Sequence, residues 1–255
     1  MISSSRFRAA LRATALHLSV SLIVALFAAS VVFGVWYAYP YREISGGREL
    51  FWLVVVVDVI CGPLLTMVLF NPAKPRVELW WDLALVALVQ LGALGYGLHT
   101  VWEARPLFLV HNVDRFTVIA LPDLAGASFA GLSKKLHPAW LSGPVTVAIR
   151  APVDEAERQM VMTESIQGGR DYAQRPEFYV SYEGATAKKS LQRAKPLSVF
   201  LQKHPAQEYA AKAVAAEKGA VVAHWYYLPV TGRQDWVAIL DKQGQIQGFL
   251  KGDGF

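Results

Sequence analysis

Cysteine occurs once in this 255-residue chain, at Cys61, so no intrachain disulfide and no cysteine-based metal site can form. Charge is scarce at 18% of residues, and none falls between Arg12 and Arg42. A gap that long excludes an ordinary solvated helix or strand. The short patterns that carry common chemistries are missing too: there is no GxSxG, no phosphate-binding loop, no dinucleotide fingerprint and no HExxH. His111, His137, His204 and His224 lack ligand-like spacing, which argues against a metal or cofactor. Charge of one sign is not concentrated anywhere. Residues 1–112 carry eight positive and six negative side chains, and residues 113–255 carry seventeen and fourteen. The net charge of +5 is therefore spread, which counts against nucleic acid as a partner. No enzymatic activity is expected.

What is present is apolar. Hydrophobic residues make up 54% of the chain and mean hydropathy is +0.29. Three runs are long enough to cross a hydrocarbon core of about 30 Å at 1.5 Å per residue. They fall at about 16–38, 50–70 and 80–102, which gives a membrane domain over residues 1–102. The first follows Arg6, Arg8 and Arg12 and is longer than the 7–15 residues of a signal-peptide core, so it reads as a retained span. His17 at its margin reads as a snorkelling side chain. Trp36, Tyr37, Tyr39, Tyr41 and Trp52 read as an interfacial aromatic belt. The connecting loop holds Tyr39, Pro40 and Tyr41, then a turn at Gly46 and Gly47. Ala93 and Gly97 on the third span form a small-xxx-small pattern. The three leading arginines place the N-terminus inside and residues 103–255 outside the membrane.

From about Glu103 the composition changes to that of a soluble domain. Strands are expected at 115–121, 144–151, 221–228, 235–240 and 245–250, the last two joined by a hairpin turn ending at Gly244. Residues 176–182 read as a short strand or docking segment. Helices are expected at 154–167, 196–203 and 205–218, the last capped by Gly219. The fold class is membrane α-helical plus a C-terminal α+β domain on an antiparallel sheet. Asp154, Glu155 and Glu157 read as acids favouring a helix N-terminus. Lys188, Lys189, Arg193 and Lys195 read as a solvated face, or as a contact for anionic lipid or an acidic partner.

Asp58 is the informative residue, because an acid inside an apolar span costs roughly 2.5–3.5 kcal/mol on insertion scales. It reads as a structural acid inside the bundle, as a contact for a partner helix, or as part of an ion path. One acid among three spans offers no relay. Depth matching sets Asp58 against Tyr96 or Ser30, whose hydroxyls could donate to it.

The run VDVICGPLLTMVLF, with Asp58, Gly62 and Pro63, followed by Pro72 and Lys74, resembles the type IV pilin accessory proteins of the TfpX/TfpZ kind. The YPY and GG loop belongs to the resemblance. So do Asp82, Gln90, Ala93, Leu94, Tyr96 and Gly97 on the third span, and Ala104, Arg105, Pro106, Arg115 and Phe116 at the domain junction. The resemblance implies a bacterial inner-membrane protein that helps a cognate type IV pilin assemble or extend, through protein–protein contact and without a cofactor. Its implied partners are that pilin, other pilus assembly proteins and membrane lipids. The competing readings are a membrane-anchored extracytoplasmic sensor or ligand-binding subunit, for which the chain has no cytoplasmic output domain, and an envelope enzyme, for which no convergent polar set is visible.

Overall fold

The computed structural model describes residues 4–255. They divide into two compact units, residues 4–38 with 47–104, and residues 39–46 with 105–255. The loop between the first two spans therefore belongs with the C-terminal unit.

The helical unit contains three helices long and apolar enough to cross a membrane, Arg6–Trp36, Gly47–Leu69 and Arg76–Glu103. Helix α1 (Ser4–Val31) continues through a π-helical turn, Val32–Trp36. It starts far upstream of the expected boundary, so Arg6, Arg8 and Arg12 ride on its first turns. After the short helix α2 (Tyr41–Ile44), the second span is built from α3 (Gly47–Val56), a π-helical turn Val57–Cys61, and α4 (Gly62–Leu69). The third span is the unbroken helix α5 (Arg76–Glu103). Its start is tied to the preceding turn by an ion pair between Lys74 and Asp82.

The core of this unit is Ala28, Val32, Trp36, Tyr37, Phe51 and Val101. Phe33 and Phe51 meet edge to face at 5.0 Å. Gly97 does what its small size predicts, since a Cβ there would lie 2.7 Å from Val54 Cγ2. Gly92 and Gly95 face open space. The aromatic belt needs correction. Trp52 is 58% exposed, but Trp36 and Tyr37 are buried, and the Tyr37 hydroxyl donates to the Val101 carbonyl at 3.0 Å. A ring with a satisfied hydroxyl can fill a protein interior as well as an interface.

The C-terminal unit is built on an eight-stranded sheet. Its strands are β1 (Pro106–Asn112), β2 (Arg115–Ala120), β3 (Val145–Ile149), β4 (Tyr179–Ser181), β5 (Lys195–Pro196), β6 (Tyr226–Thr231), β7 (Trp236–Leu240) and β8 (Ile246–Lys251). The order is β4-β3-β1-β2-β6-β7-β8, with β5 pairing β6. The α+β class holds, and the sheet is mixed: β1 with β3 and β2 with β6 run parallel, and the other pairings run antiparallel. The parallel pairings arise where long crossovers return the chain.

The last three strands form the expected meander. The first begins later than the pattern suggests, because Val222–His224 makes a 3₁₀ turn and β6 passes through Pro229 to Thr231. On one edge β5 pairs Tyr226 and Tyr227 while β2 pairs Val230 and Thr231, so Pro229 falls between the two and needs no donor there. The hairpin after β7 is fixed by Asp241, whose Oδ1 accepts from the amides of Gln243 and Gln245, and by Gly244 at φ 78°.

Alternation along the strands sorts the two faces. Phe108, Val110, Ile119 and Val147 pack under residues from the 121–136 segment, such as Leu124, Leu132 and Leu136. Tyr227, Val237, Ile239 and Leu250 continue that face under α8 (Leu197–Lys203) and α9 (Glu208–Glu217). The opposite face carries Leu109, Phe116, Leu228, Val230, Trp236 and Leu240. It is covered by Ile44 of the 39–46 loop, by Tyr182, and by Ala187 of α7 (Ala185–Ser190). The remaining helix, α6 (Glu155–Ile166), has Asp154 as its N-cap, with Oδ1 accepting from the Glu157 amide at 2.8 Å. The Arg150 guanidinium then holds the Glu157 carboxyl down at about 2, assisted by the Val153 amide.

Candidate functional site

Pro63 sits within the second span and has no N–H. In the π-helical register that precedes it, the carbonyl five residues back is that of Asp58, which Pro63 cannot serve. Gln90 of α5 serves it instead, its Nε2 donating to the Asp58 carbonyl at 2.7 Å. Gly62 makes this possible, because a Cβ there would occupy the space of the Gln90 carboxamide. The Gly-Pro pair thus creates an orphan acceptor and clears the path for its donor. In hydrocarbon an unmet carbonyl is expensive, which is the physical reason to build such a bridge.

The bridge extends to the first span. Gln90 Nε2 also donates to Ser21 Oγ at 3.1 Å, and Gln90 Oε1 lies 2.7 Å from His17 Nε2. With its amide nitrogen committed as donor, Gln90 requires the His17 Nε2–H to donate to its oxygen. The other ring nitrogen, His17 Nδ1, lies 2.6 Å from the Thr66 hydroxyl. Asp58 is 6% exposed and close enough to His17 for the two to interact electrostatically. Five polar residues from the three spans therefore form one cluster. Asp58, Ser21 and Thr66 are buried; His17 and Gln90 are half-buried.

This cluster corrects two expectations. Asp58 is buried in the bundle, but Tyr96 is 75% exposed, and the Ser30 hydroxyl donates to Leu26 of its own helix at 2.9 Å. Depth matching ignored helix face. Tyr96 is six positions after Gln90, which at about 100° per residue turns it about 240° away. His17 is no snorkelling side chain, since both ring nitrogens are engaged. Its i, i+4 spacing with Ser21 in a charge-free run was the available signal.

The loop motif belongs to the other unit. The Ile44 carbonyl accepts from the Arg233 amide at 2.7 Å, and Ile44 is fully buried. Tyr41 stacks edge to face on Phe249 at 5.9 Å, and burial pushes its hydroxyl well above the usual range. Tyr39 meets Trp236 at 5.9 Å and lies under the Arg42 guanidinium. Pro40 is buried. Gly46, at φ 72°, leaves room for Arg233, as a Cβ there would lie 2.6 Å from its Cδ. Tyr41 is thus docked on the sheet, while Tyr39 touches Trp236 and stays 61% exposed. Gly47, in the helical unit, leaves room for the Tyr37 ring.

The four residues expected at the domain junction are not brought together. Arg105 is buried and Pro106 opens β1. Arg115 and Phe116 pair with Asn112 and His111 at the opposite end of the hairpin. Arg115 Nε donates to Asp114 at 2.8 Å, and its guanidinium lies over the Phe255 ring at 4.6 Å. Phe116 packs on Tyr182 and His111. His111 is held neutral, its pKa lowered to about 4 by burial first and by Lys189 second. Among the described residues no group of three His, Cys, Asp or Glu side chains could hold a metal ion.

A sequence profile for the family described as "Fimbrial assembly protein FimB" matches residues 5–46. The chain is 31% identical over 257 residues to a fimbrial assembly protein of serogroup I from Dichelobacter nodosus, covering 100% of this chain and 99% of the relative. It is 37% identical over 123 residues to the fimbrial assembly protein of serogroups C1 and C2 of that organism, covering 48% of this chain and 94% of the relative. No solved structure matches.

Proposed function

As the chain belongs to the family of fimbrial assembly proteins, we propose that it is an inner-membrane factor that helps a cognate type IV pilin assemble or extend, by protein–protein contact rather than catalysis. The observation that carries this reading is the relationship over the whole length of both chains. It covers the three spans and the C-terminal unit together. The three apolar helices support a membrane location. Arg6, Arg8 and Arg12 at the start of the first span support an inside N-terminus, with the C-terminal unit in the periplasm.

In this reading the polar cluster of His17, Ser21, Asp58, Thr66 and Gln90 fixes the register of the three spans. Its half-buried edge, His17 and Gln90, is where a partner helix meets the bundle. Deleting the gene should reduce surface pili while pilin remains in the cell, and the pilin should co-purify with the protein. Normal piliation in the deletion strain, at native pilin levels and with no paralogue present, would overturn the reading.

A further inference from the structure

Two covers share one face of the C-terminal sheet. Residues 121–136 pack on β1 and β3, and α8 and α9 pack on β6, β7 and β8. Strands β2 and β6 meet between them, in parallel, through Phe116 with Val230 and Thr117 with Thr231. Alternation from Ile119 and from Tyr227 puts Thr117 and Thr231 on the covered face. The strip between the covers is thus floored by two hydroxyls instead of the apolar side chains found beneath them. Neither hydroxyl makes a hydrogen bond among the described residues.

A groove of about 640 Å³ occupies this strip. It follows β2 from Arg115 to Ile119, about 13 Å at 3.3 Å per residue, the length of a short extended segment. Its walls carry Asp114, Asp123 and Asp171 against one guanidinium, Arg115. That guanidinium is engaged with Asp114 and lies over the Phe255 ring. Asp123 accepts from the Ala120 amide through Oδ2, and Asp171 accepts from the Tyr172 amide through Oδ1. The second oxygen of each carboxylate is left for a ligand. The groove is therefore acidic within a stretch, residues 113–255, where seventeen cations outnumber fourteen acids. An anion would be repelled. A metal ion would find no group of three ligands among the described residues.

We infer that this groove binds an extended segment of a partner polypeptide bearing lysine or arginine, its cations met by Asp123 and Asp171 and its backbone lying over Thr117 and Thr231. The inference rests on the reading of this chain as a pilin-binding factor. The partner segment is then one that the pilin exposes on the same side of the membrane as this unit.

The test is made in cells that produce the full chain and its pilin. The photo-cross-linking residue benzoylphenylalanine is placed at Thr231 or, as reference, at Gln243 in the β7–β8 turn. Irradiation should join pilin, identified by antiserum and by mass spectrometry, to position 231 and not to 243. The cross-linked pilin peptide should carry Lys or Arg within about four residues of the link, the reach of the groove. Asp123→Asn with Asp171→Asn removes both charges and keeps both amides capped, since asparagine caps as well as aspartate. The yield at 231 should then fall about fivefold, the size expected for two exposed ion pairs, with protein level and unfolding temperature unchanged. Equal yields at 231 and 243 while pilin still co-purifies would overturn the groove and leave the pilin-binding reading standing. So would a yield indifferent to the two asparagines, a link to a pilin segment without Lys or Arg, or links to other polypeptides alone. Failure of pilin to co-purify at all would overturn the reading beneath the inference, and the inference with it.

Discussion

Replacing Gly62 by alanine and Gly92 by alanine makes the same chemical change in two neighbouring spans, and the structure assigns the two very different consequences. A methyl at 92 meets nothing within 4 Å, whereas a methyl at 62 takes the place of the Gln90 carboxamide. Gln90 would then have to withdraw from His17, Ser21 and the Asp58 carbonyl, three hydrogen bonds in all. Interhelical hydrogen bonds in membranes average about 0.6 kcal/mol, so losing three amounts to about 2 kcal/mol, or roughly a thirtyfold shift in the unfolding equilibrium. The higher helix propensity of alanine would return a fraction of this at both positions. Unfolding by sodium dodecyl sulfate titration in mixed micelles, followed by far-UV circular dichroism, measures the difference. Gly62→Ala should be less stable than Gly92→Ala by about that amount. In a Gln90→Ala background the gap should close, since the clash and the bonds are then both gone. Equal stability of the two single variants, or a gap that survives Gln90→Ala, would refute the account of the Gly-Pro pair as the entrance for Gln90.

Other outcomes follow from the C-terminal unit and the first span. Ile44 is fully buried against the sheet, so Ile44→Ala should cost about 2–5 kcal/mol and appear as faster hydrogen exchange in β6 and β7. His111 should make this unit acid-sensitive. Its folded pKa lies near 4, below the ordinary value of 6.5, so the unfolded chain takes up the proton first. Stability is therefore full above about pH 6.5 and falls towards pH 4, by about 3 kcal/mol for one buried imidazole. His111→Leu should flatten that slope in pH-dependent thermal unfolding, and an unchanged slope would locate the sensitivity elsewhere. Alkaline phosphatase fused after Phe255 should be active in the periplasm; activity of a cytoplasmic reporter at the same site instead would reverse the orientation.

The spans, the start of α6 and the closing meander were all readable along the chain. Each depends on local information: run length, acids clustered at a helix start, or alternation punctuated by a glycine turn. Strand β1 was not readable, because residues 106–111 are buried on both faces and show no alternation. The parallel pairings were hidden for a related reason, since long crossovers leave no mark at the strands they join. Asp58 stood out in the sequence, but its neighbours did not, because depth is linear in residue number while helix face also depends on how three helices rotate against one another. Only that packing brings His17, Thr66 and Gln90 together from positions 49 and 73 residues apart. The Tyr39–Gly46 loop shows the same division. Its tyrosines and glycines predicted a turn at a membrane surface. Their docking on Trp236, Phe249 and Arg233 was decided by a sheet face assembled from strands far along the chain, which needed an apolar cover that Ile44 and Tyr41 supply.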